Sequence, residues 1–164
     1  MLRFEKGELT KSLEVGFSHE IRVRFQDVDA AGIVFFGRFF DMVHEAYECL
    51  LQSAGEPLSD VLEARRWAAP LRHVEADYFS PARYGDRLTI GLSKCLVEQS
   101  EVYLGWCVWR GTQALAALQT VHVFVSPKDF RRIPVPMAVV DFLVSLTECV
   151  EPAEPKGPPG PPAI

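Results

Sequence analysis

The sequence is poor in several features that mark whole classes of protein. Its 17 Lys and Arg residues are outnumbered by 22 Asp and Glu residues, giving a formal net charge of −5, which argues against a nucleic-acid-binding protein with its usual basic surface. No apolar run approaches the roughly 18 residues of a membrane span. Residues 1–14 contain no apolar segment of the kind found in signal peptides. We therefore expect a cytoplasmic protein that binds neither nucleic acid nor membrane.

Cysteine is also scarce, and its spacing is not that of a metal site. The chain has Cys49, Cys95, Cys107 and Cys149, with no CxxC pair and no matching pair of histidines nearby. We therefore predict no metal site. Each cysteine lies within an apolar run, which favours reduced thiols in or near the core. The absence of a Gly-x-Ser-x-Gly motif argues against a serine hydrolase of that type, and neither a GxGxxG motif nor a P-loop occurs.

Length and composition predict one domain of ordinary size. The chain has 164 residues, of which 48% are hydrophobic and 24% charged, so it holds enough apolar material for a core. We divide it into a loose N-terminal lead-in (1–14), a folded domain (15–150) and a flexible C-terminal tail (151–164). The tail is assigned from composition, because six of its fourteen residues are proline.

The spacing of apolar residues predicts an α+β fold. The first strand places Ile21, Val23 and Phe25 on one face. A long amphipathic helix starts near Phe36 and ends before Gly55, and its aromatic face predicts burial against a sheet. The remaining predicted elements are a short helix (58–66), an antiparallel meander of four strands (71–79, 88–92, 102–109 and 115–125) and a terminal helix within 136–149.

Two acidic residues after the first strand form the main candidate site. Asp27 and Asp29 continue the strand's alternation, so both should lean toward the helix. Gly32 permits a tight turn, and the helix start near Phe36 offers unpaired N–H groups. Such a donor can bind a developing oxyanion, at about 3 kcal/mol each, while a carboxylate attacks a carbonyl or activates water. The alternative is that either acid only caps the helix or closes an Asx turn.

Three further groups have both a functional and a structural interpretation. His44 flanks the apolar stripe of the helix, where it either binds a ligand or is simply a partly buried, hydrogen-bonded histidine. His73 and Asp77 share a strand face, and they either line a cleft or pair with each other. The basic residues that follow the last strand either bind phosphates or form an ordinary surface turn. These basic residues are Lys128, Arg131 and Arg132.

The segment DVDAAGIVFF (27–36) resembles the signature of the 4-hydroxybenzoyl-CoA thioesterase family. That signature is an acid, a spacer, the catalytic aspartate, two small residues, a glycine, two aliphatic residues and two aromatic or histidine positions. The resemblance, over roughly residues 20–130, implies the hotdog fold, in which an antiparallel β-sheet wraps a long central helix. It implies that Asp29 is the nucleophile or general base, that the Phe36 backbone N–H is the oxyanion donor and that Gly32 shapes the turn.

The match is closer to one branch of this family. Phe36, Phe39 and the run HEAYE (44–48) resemble the 1,4-dihydroxy-2-naphthoyl-CoA hydrolases of naphthoquinone (menaquinone) biosynthesis, as do His73 and the run GDRL (85–88). The resemblance implies a homodimer or homotetramer with active sites at the subunit interface. It implies no cofactor, because coenzyme A is part of the substrate.

Two positions and one short segment depart from the family pattern. Arg38 stands where many relatives have Asn, and Phe36 stands where the bacterial short-chain branch often has His. Residues 98–100 (EQS) lack the basic cluster that holds CoA phosphates in some relatives. We therefore expect the phosphates to meet other basic residues. The candidates are Lys128, Arg131 and Arg132, or Arg83 of a neighbouring subunit.

These features together predict an acyl-CoA thioesterase that hydrolyses an aromatic acyl-CoA, with 1,4-dihydroxy-2-naphthoyl-CoA as the favoured substrate. The aromatic residues at the start of the helix suit a flat acyl group, although they equally suit core packing. The predicted substrate-binding residues are Phe35, Phe39, His44, His73, Arg131 and Arg132. The alternatives are a thioesterase for another aroyl-CoA or a short-chain acyl-CoA, a hotdog hydratase or dehydratase using His44 or His73 with Asp77, and a non-catalytic acyl-binding module.

Overall fold

The fold is built around one long helix that packs on a six-stranded sheet. The computed structural model describes residues 4–11 and 16–146 and the backbone of residues 149–150, so the predicted tail (151–164) lies outside the described residues. The elements in chain order are α1 (Lys6–Leu9), β1 (Phe17–Arg22), a 3-10 helix (Phe25–Asp27), α2 (Arg38–Ser53), α3 (Leu58–Ala64), β2 (Leu71–Tyr78), β3 (Arg87–Val97), β4 (Glu101–Arg110), β5 (Gln113–Val123), α4 (Met137–Ser145) and β6 (Cys149–Val150).

The strand order is β1-β3-β4-β5-β2, with every one of these pairings antiparallel. β6 runs parallel to β3, beyond the part of β3 that pairs with β1. The prediction of a four-strand meander is correct for β3, β4 and β5 but wrong for β2, which pairs with β5 at the opposite edge. The step from β2 to β3 crosses about 14 Å, three strand spacings of about 4.8 Å, and residues 79–86 are long enough to span it at about 3.3 Å per residue.

The long helix α2 is amphipathic, as its sequence predicts. Apolar residues recur every three or four positions, so that one face is buried against the sheet and the other is polar and exposed. The helix ends at Ser53, and Gly55 two residues later has a φ of +78°, the left-handed conformation that glycine adopts without penalty. The buried residues of α2 are Phe39, Met42, Val43, Ala46, Tyr47, Leu50 and Leu51.

The opposite face of the sheet is partly covered by the N-terminal segment. Phe4 and Leu9 are buried there, in a cluster that includes Tyr103 and Val121. The Gln119 side chain holds the Phe4 backbone with two hydrogen bonds, of 3.1 and 2.9 Å. Residues 4–11 are therefore packed rather than loose as expected, because four residues of helix are too few to give a periodic signal. The domain boundaries themselves stay a prediction.

The oxidation state of the cysteines agrees only in part with the prediction of reduced thiols. Cys49 and Cys107 are free, whereas Cys95 is disulfide-bonded, so the prediction is wrong for Cys95. No three His, Cys, Asp or Glu side chains within the described ranges gather where they could hold a metal ion. The helices of that same part of the chain are all too short or too polar to cross a membrane.

Candidate active site

Asp27 and Asp29 lie in different environments although only one residue separates them. β1 ends at Arg22, and the 3-10 helix that follows breaks the alternation of side chains. As a result Asp27 is buried (2% exposed) while Phe25 is 80% exposed, so the prediction that Phe25, Asp27 and Asp29 share one face is wrong. The Asp27 carboxylate accepts hydrogen bonds from the backbone N–H of Arg24 (2.7 Å) and its Nε (3.5 Å). Asp27 is therefore a structural cap.

Asp29 begins an exposed tight turn. Its N–H donates to the Ile33 carbonyl and its carbonyl accepts from the Gly32 N–H, both at 2.9 Å, and Gly32 has a φ of +74° that suits glycine. The Asp29 Oδ1 accepts a hydrogen bond from the Ala31 N–H at 2.8 Å, which closes an Asx turn. Its Oδ2 accepts none from the residues that the structure describes. The carboxylate is thus oriented by one oxygen and has the other available.

The start of α2 supplies unpaired backbone donors close to this turn. The helix begins at Arg38 with Gly37 as its N-cap, two residues later than the sequence predicts. Arg38 N–H donates to the Phe35 carbonyl at 2.8 Å. Within the described part of the chain, the N–H groups of Phe36 and Gly37 donate to no acceptor. Unpaired N–H groups at a helix start can bind an oxyanion.

A cleft of about 420 Å³ lies beside these donors. Its wall is mainly apolar, and Phe36 is 61% exposed, so a flat apolar group can reach it. Asp29 is connected to this wall through its hydrogen bond with Ile33. The cleft is lined by Ile33, Val34, Phe36, Phe39, Tyr78, Phe79, Ser80 and Pro81.

Of the two other aromatic residues predicted to bind substrate, Phe39 lines the cleft and Phe35 does not. Phe39 is buried and its ring contacts Tyr78 edge-on, with ring centres 5.3 Å apart. Phe35 is 46% exposed and lies against the Phe36 ring, with centres 4.4 Å apart. Sequence reasoning overlooked Tyr78, which is notable because its hydroxyl donates to the Phe36 carbonyl at 2.9 Å. The alternation of Ala76 and Tyr78 along β2 was the available signal.

The predicted histidines lie away from this cleft. His44 is half exposed, 3.9 Å from Glu48, and lines a separate pocket of about 130 Å³ between α2 and strands β2 and β5. His73 pairs in register with Val121, on the sheet face that does not pack against α2. Its Nε2 is 3.4 Å from Glu75. The structure therefore does not bring either histidine to the start of α2 within this chain.

The two arginines predicted to bind phosphate differ in exposure and in the acid that each one pairs with. Arg131 has an 87% exposed side chain, 3.4 Å from the carboxylate of Asp129. Arg132 donates to the buried carboxylate of Glu101 at 2.6 Å. Neither lines the cleft, and Asp77 is paired with Lys6 at 2.6 Å on the far face of the sheet.

A long helix packed on an antiparallel sheet is the arrangement of the hotdog fold. The chain belongs to the thioesterase-like superfamily, whose family model matches residues 23–143.

Named relatives agree with this assignment. The 1,4-dihydroxy-2-naphthoyl-CoA hydrolase of Synechocystis sp. is 35% identical over 125 residues, covering 73% of this chain and 88% of that protein. The enzyme of the same name from Crocosphaera subtropica is 32% identical over 126 residues, covering 75% and 92%. The crystal structure of a 1,4-dihydroxy-2-naphthoyl-CoA thioesterase from Synechocystis has a TM-score of 0.73 at 31% identity, covering 78% of this chain and 95% of the other. The predicted family and fold are confirmed.

Proposed function

We propose that this protein hydrolyses the thioester of an aromatic acyl-CoA, with 1,4-dihydroxy-2-naphthoyl-CoA as its favoured substrate. The observation that carries the proposal is the Asp29 carboxylate, with one uncommitted oxygen, in the turn that leads directly to the unpaired N–H groups of Phe36 and Gly37 before α2. The exposed rings of Phe35 and Phe36 suit a flat acyl group. The relatives named above support the choice of substrate.

The proposed reaction needs only an acid and an oxyanion site. The thioester carbonyl oxygen accepts a hydrogen bond from the Phe36 N–H, which stabilises the negative charge that develops on it. Asp29 then either attacks the carbonyl carbon, expelling the CoA thiolate and leaving an anhydride that water hydrolyses, or removes a proton from the attacking water. Both routes release a free acid and CoA, and neither requires a cofactor.

The exposed edge of the sheet supports a second subunit beside this cleft. Among the strands that the structure describes, β2 is an edge strand with one unpaired row of backbone groups, and Leu71, Val74 and Tyr78 on it are each more than 40% exposed. An apolar open edge of this kind favours pairing with another chain. We therefore propose a cytoplasmic homodimer or homotetramer in which the active sites lie at the subunit interface. In such an assembly His44 and His73 would contact substrate bound to a neighbouring subunit.

The CoA moiety needs positive charge outside the cleft. Arg131 is the better candidate for its phosphates, because Arg132 already neutralises Glu101. An exposed arginine can hold a phosphate with two parallel hydrogen bonds.

The test offers the purified protein a panel of aromatic and aliphatic acyl-CoAs while a thiol reagent monitors CoA release. Asp29→Asn should lower kcat about 10²- to 10⁴-fold, the usual worth of a catalytic acid or base, and leave the thermal stability unchanged. Asp41→Asn is the matched control, because Asp41 is another exposed acid, in the first turn of α2, and its replacement should leave kcat near the wild-type value.

Two results would contradict the proposal. If Asp29→Asn releases thiol as fast as the wild-type protein, the proposed role of Asp29 is wrong. Hydration of an enoyl-CoA, with no release from any thioester, would favour the hydratase class instead. Within one chain neither His44 nor His73 lines the cleft, so the hydratase class would need its histidine from the neighbouring subunit.

A further inference from the structure

One side-chain hydrogen bond joins the edge strand β2 to the start of α2. The Tyr78 hydroxyl donates to the Phe36 carbonyl at 2.9 Å across 42 residues of sequence. The ring of Tyr78 is held by the edge-on contact with Phe39. Partial burial raises the pKa of Tyr78, so the hydroxyl keeps its proton and remains a donor throughout the neutral and mildly alkaline range.

The acceptor of this bond belongs to the peptide that carries the Gly37 N–H. A peptide unit is planar and its C=O and N–H point in opposite directions, so fixing the Phe36 carbonyl also fixes the Gly37 N–H. Gly37 has helical backbone angles (φ −64°, ψ −26°). The Phe36 carbonyl therefore points along the helix, and the Gly37 N–H points out of its N-terminal end.

The same bond strengthens the donor that it orients. A hydrogen bond accepted by a peptide oxygen polarises the unit and makes its N–H a better donor. The Gly37 N–H donates to no acceptor in the described part of the chain, and neither does the Phe36 N–H next to it. Two adjacent unpaired donors at the start of one helix match the needs of a single carbonyl oxygen that becomes negatively charged.

We propose that Tyr78 is a positioning residue, which fixes the Phe36–Gly37 peptide so that the Gly37 N–H acts as a second oxyanion donor beside the Phe36 N–H. This inference rests on the proposed thioester hydrolysis at the same cleft. Tyr78 acts only through the peptide and takes no part in bond breaking. Its hydroxyl therefore contributes to the rate of the chemical step rather than to the binding of the acyl-CoA.

The variant Tyr78→Phe tests this role, because it removes the hydroxyl and keeps the ring. We expect kcat for thiol release to fall about tenfold, less than the 10²- to 10³-fold of a deleted oxyanion donor, while KM stays within about twofold because the substrate contacts remain. Tyr84→Phe is the matched control, since Tyr84 is 60% exposed and contacts Phe25 instead.

A second measurement is independent of activity. The amide nitrogen of Gly37 in a ¹⁵N-labelled protein should shift upfield in Tyr78→Phe and stay in place in Tyr84→Phe. The Phe36 carbonyl loses the 2.9 Å bond from Tyr78 in the first variant and keeps only the 3.4 Å bond from the Phe39 N–H. An unmoved Gly37 signal would overturn the positioning role, whatever the rate. A moved signal with an unchanged kcat would overturn the use of Gly37 as a donor. Absence of thiol release by the wild-type protein would instead overturn the proposed function, and this inference with it.

Discussion

The turn at Asp29 and the cluster around Glu101 use acidic side chains in opposite ways. Glu101 is 4% exposed, and its carboxylate accepts hydrogen bonds from Tyr103 (2.7 Å) and Arg132 (2.6 Å), with Arg72 at 3.4 Å. The Asp29 carboxylate is exposed and accepts one hydrogen bond, from the backbone N–H of Ala31. One acid has its bonding capacity filled by the fold, whereas the other keeps capacity that only an external group can use.

This difference separates structural charge from charge available for chemistry. Burial alone would raise the pKa of Glu101, but the hydrogen bonds from Tyr103 and Arg132 and the positive charges of Arg72 and Arg132 outweigh it, so its pKa lies below the usual value. The cluster is therefore stable as an ionised group. The sequence predicts that Arg132 binds phosphate, but its side chain belongs to this cluster rather than to an open site.

The contrast between Glu101 and Asp29 can be tested by mutation. The largest expected effect is a loss of stability in Glu101→Gln. The change removes the charge that Arg72 and Arg132 neutralise, and hydrogen bonds to charged groups contribute about 1.5–3 kcal/mol each. Because both arginines are half exposed, we expect the free energy of unfolding to fall by about 2 kcal/mol. Denaturant unfolding followed by tryptophan fluorescence measures it.

The control for this variant is Glu63→Gln, on the exposed surface of α3, which should change the free energy of unfolding by less than about 0.5 kcal/mol. The kcat of Glu101→Gln should equal that of the wild-type enzyme at temperatures where both are folded. A large loss of kcat with intact stability would show that Glu101 serves the reaction, and the contrast with Asp29 would fail.

The pH dependence of stability should report the same cluster. A carboxylate whose pKa is lower in the folded state stabilises the protein above its unfolded pKa, and that contribution is lost as the pH falls through the folded pKa. Since the pKa of Glu101 is lowered, wild-type stability should decline below about pH 4.5, and the decline should be shallower in Glu101→Gln. Thermal melts between pH 6 and pH 3 compare the two slopes, and equal slopes would contradict the assignment.

The smallest expected effect separates the two adjacent arginines. Arg131→Gln should raise KM for an acyl-CoA a few-fold, since it removes an exposed positive charge available to phosphate, and should leave stability unchanged. Arg132→Gln should lower stability with little change in KM. A thioester of N-acetylcysteamine, which has no phosphates, is the control substrate, and its KM should not respond to Arg131→Gln. The reverse pattern would assign the phosphates to Arg132.

Much of the fold could be predicted because its main elements have a periodic sequence. The helix α2 buries one face at the period that its sequence predicts, β4 is an apolar run buried along nearly its whole length, and the turn at Gly85 requires a positive φ that glycine provides. The position of β2 could not be predicted, because its pairing with β5 depends on contacts more than 35 residues apart. The packing of residues 4–11 could not be predicted either, because α1 is too short to give a periodic signal and Phe4 is held by the distant Gln119.

The candidate site was predictable where a local motif defines it. The motif around Asp29 and Gly32 pointed to the tight turn and to the helix start that follows it. The separation of Asp27 from Asp29 was not predictable, because a 3-10 helix of three residues leaves no periodic trace. The ion pair between Arg132 and Glu101 was not predictable either, since the two residues are 31 positions apart in the sequence.

The segment that crosses from β2 to β3 (79–86) forms one wall of the cleft. Phe79, Ser80 and Pro81 line the cleft, and Ala82 holds the turn beside Asp29 by accepting a hydrogen bond from the Val34 N–H at 2.8 Å. One wall of the cleft is therefore a linker, whereas the proposed reacting groups belong to the turn and to the start of α2. The backbone N–H groups of Phe79 and Ser80 donate to the Leu115 carbonyl of β5, so side-chain exchanges at these positions leave the sheet intact. Under the proposed function, such exchanges would change the acyl group that the cleft accepts while the turn at Asp29 stays the same.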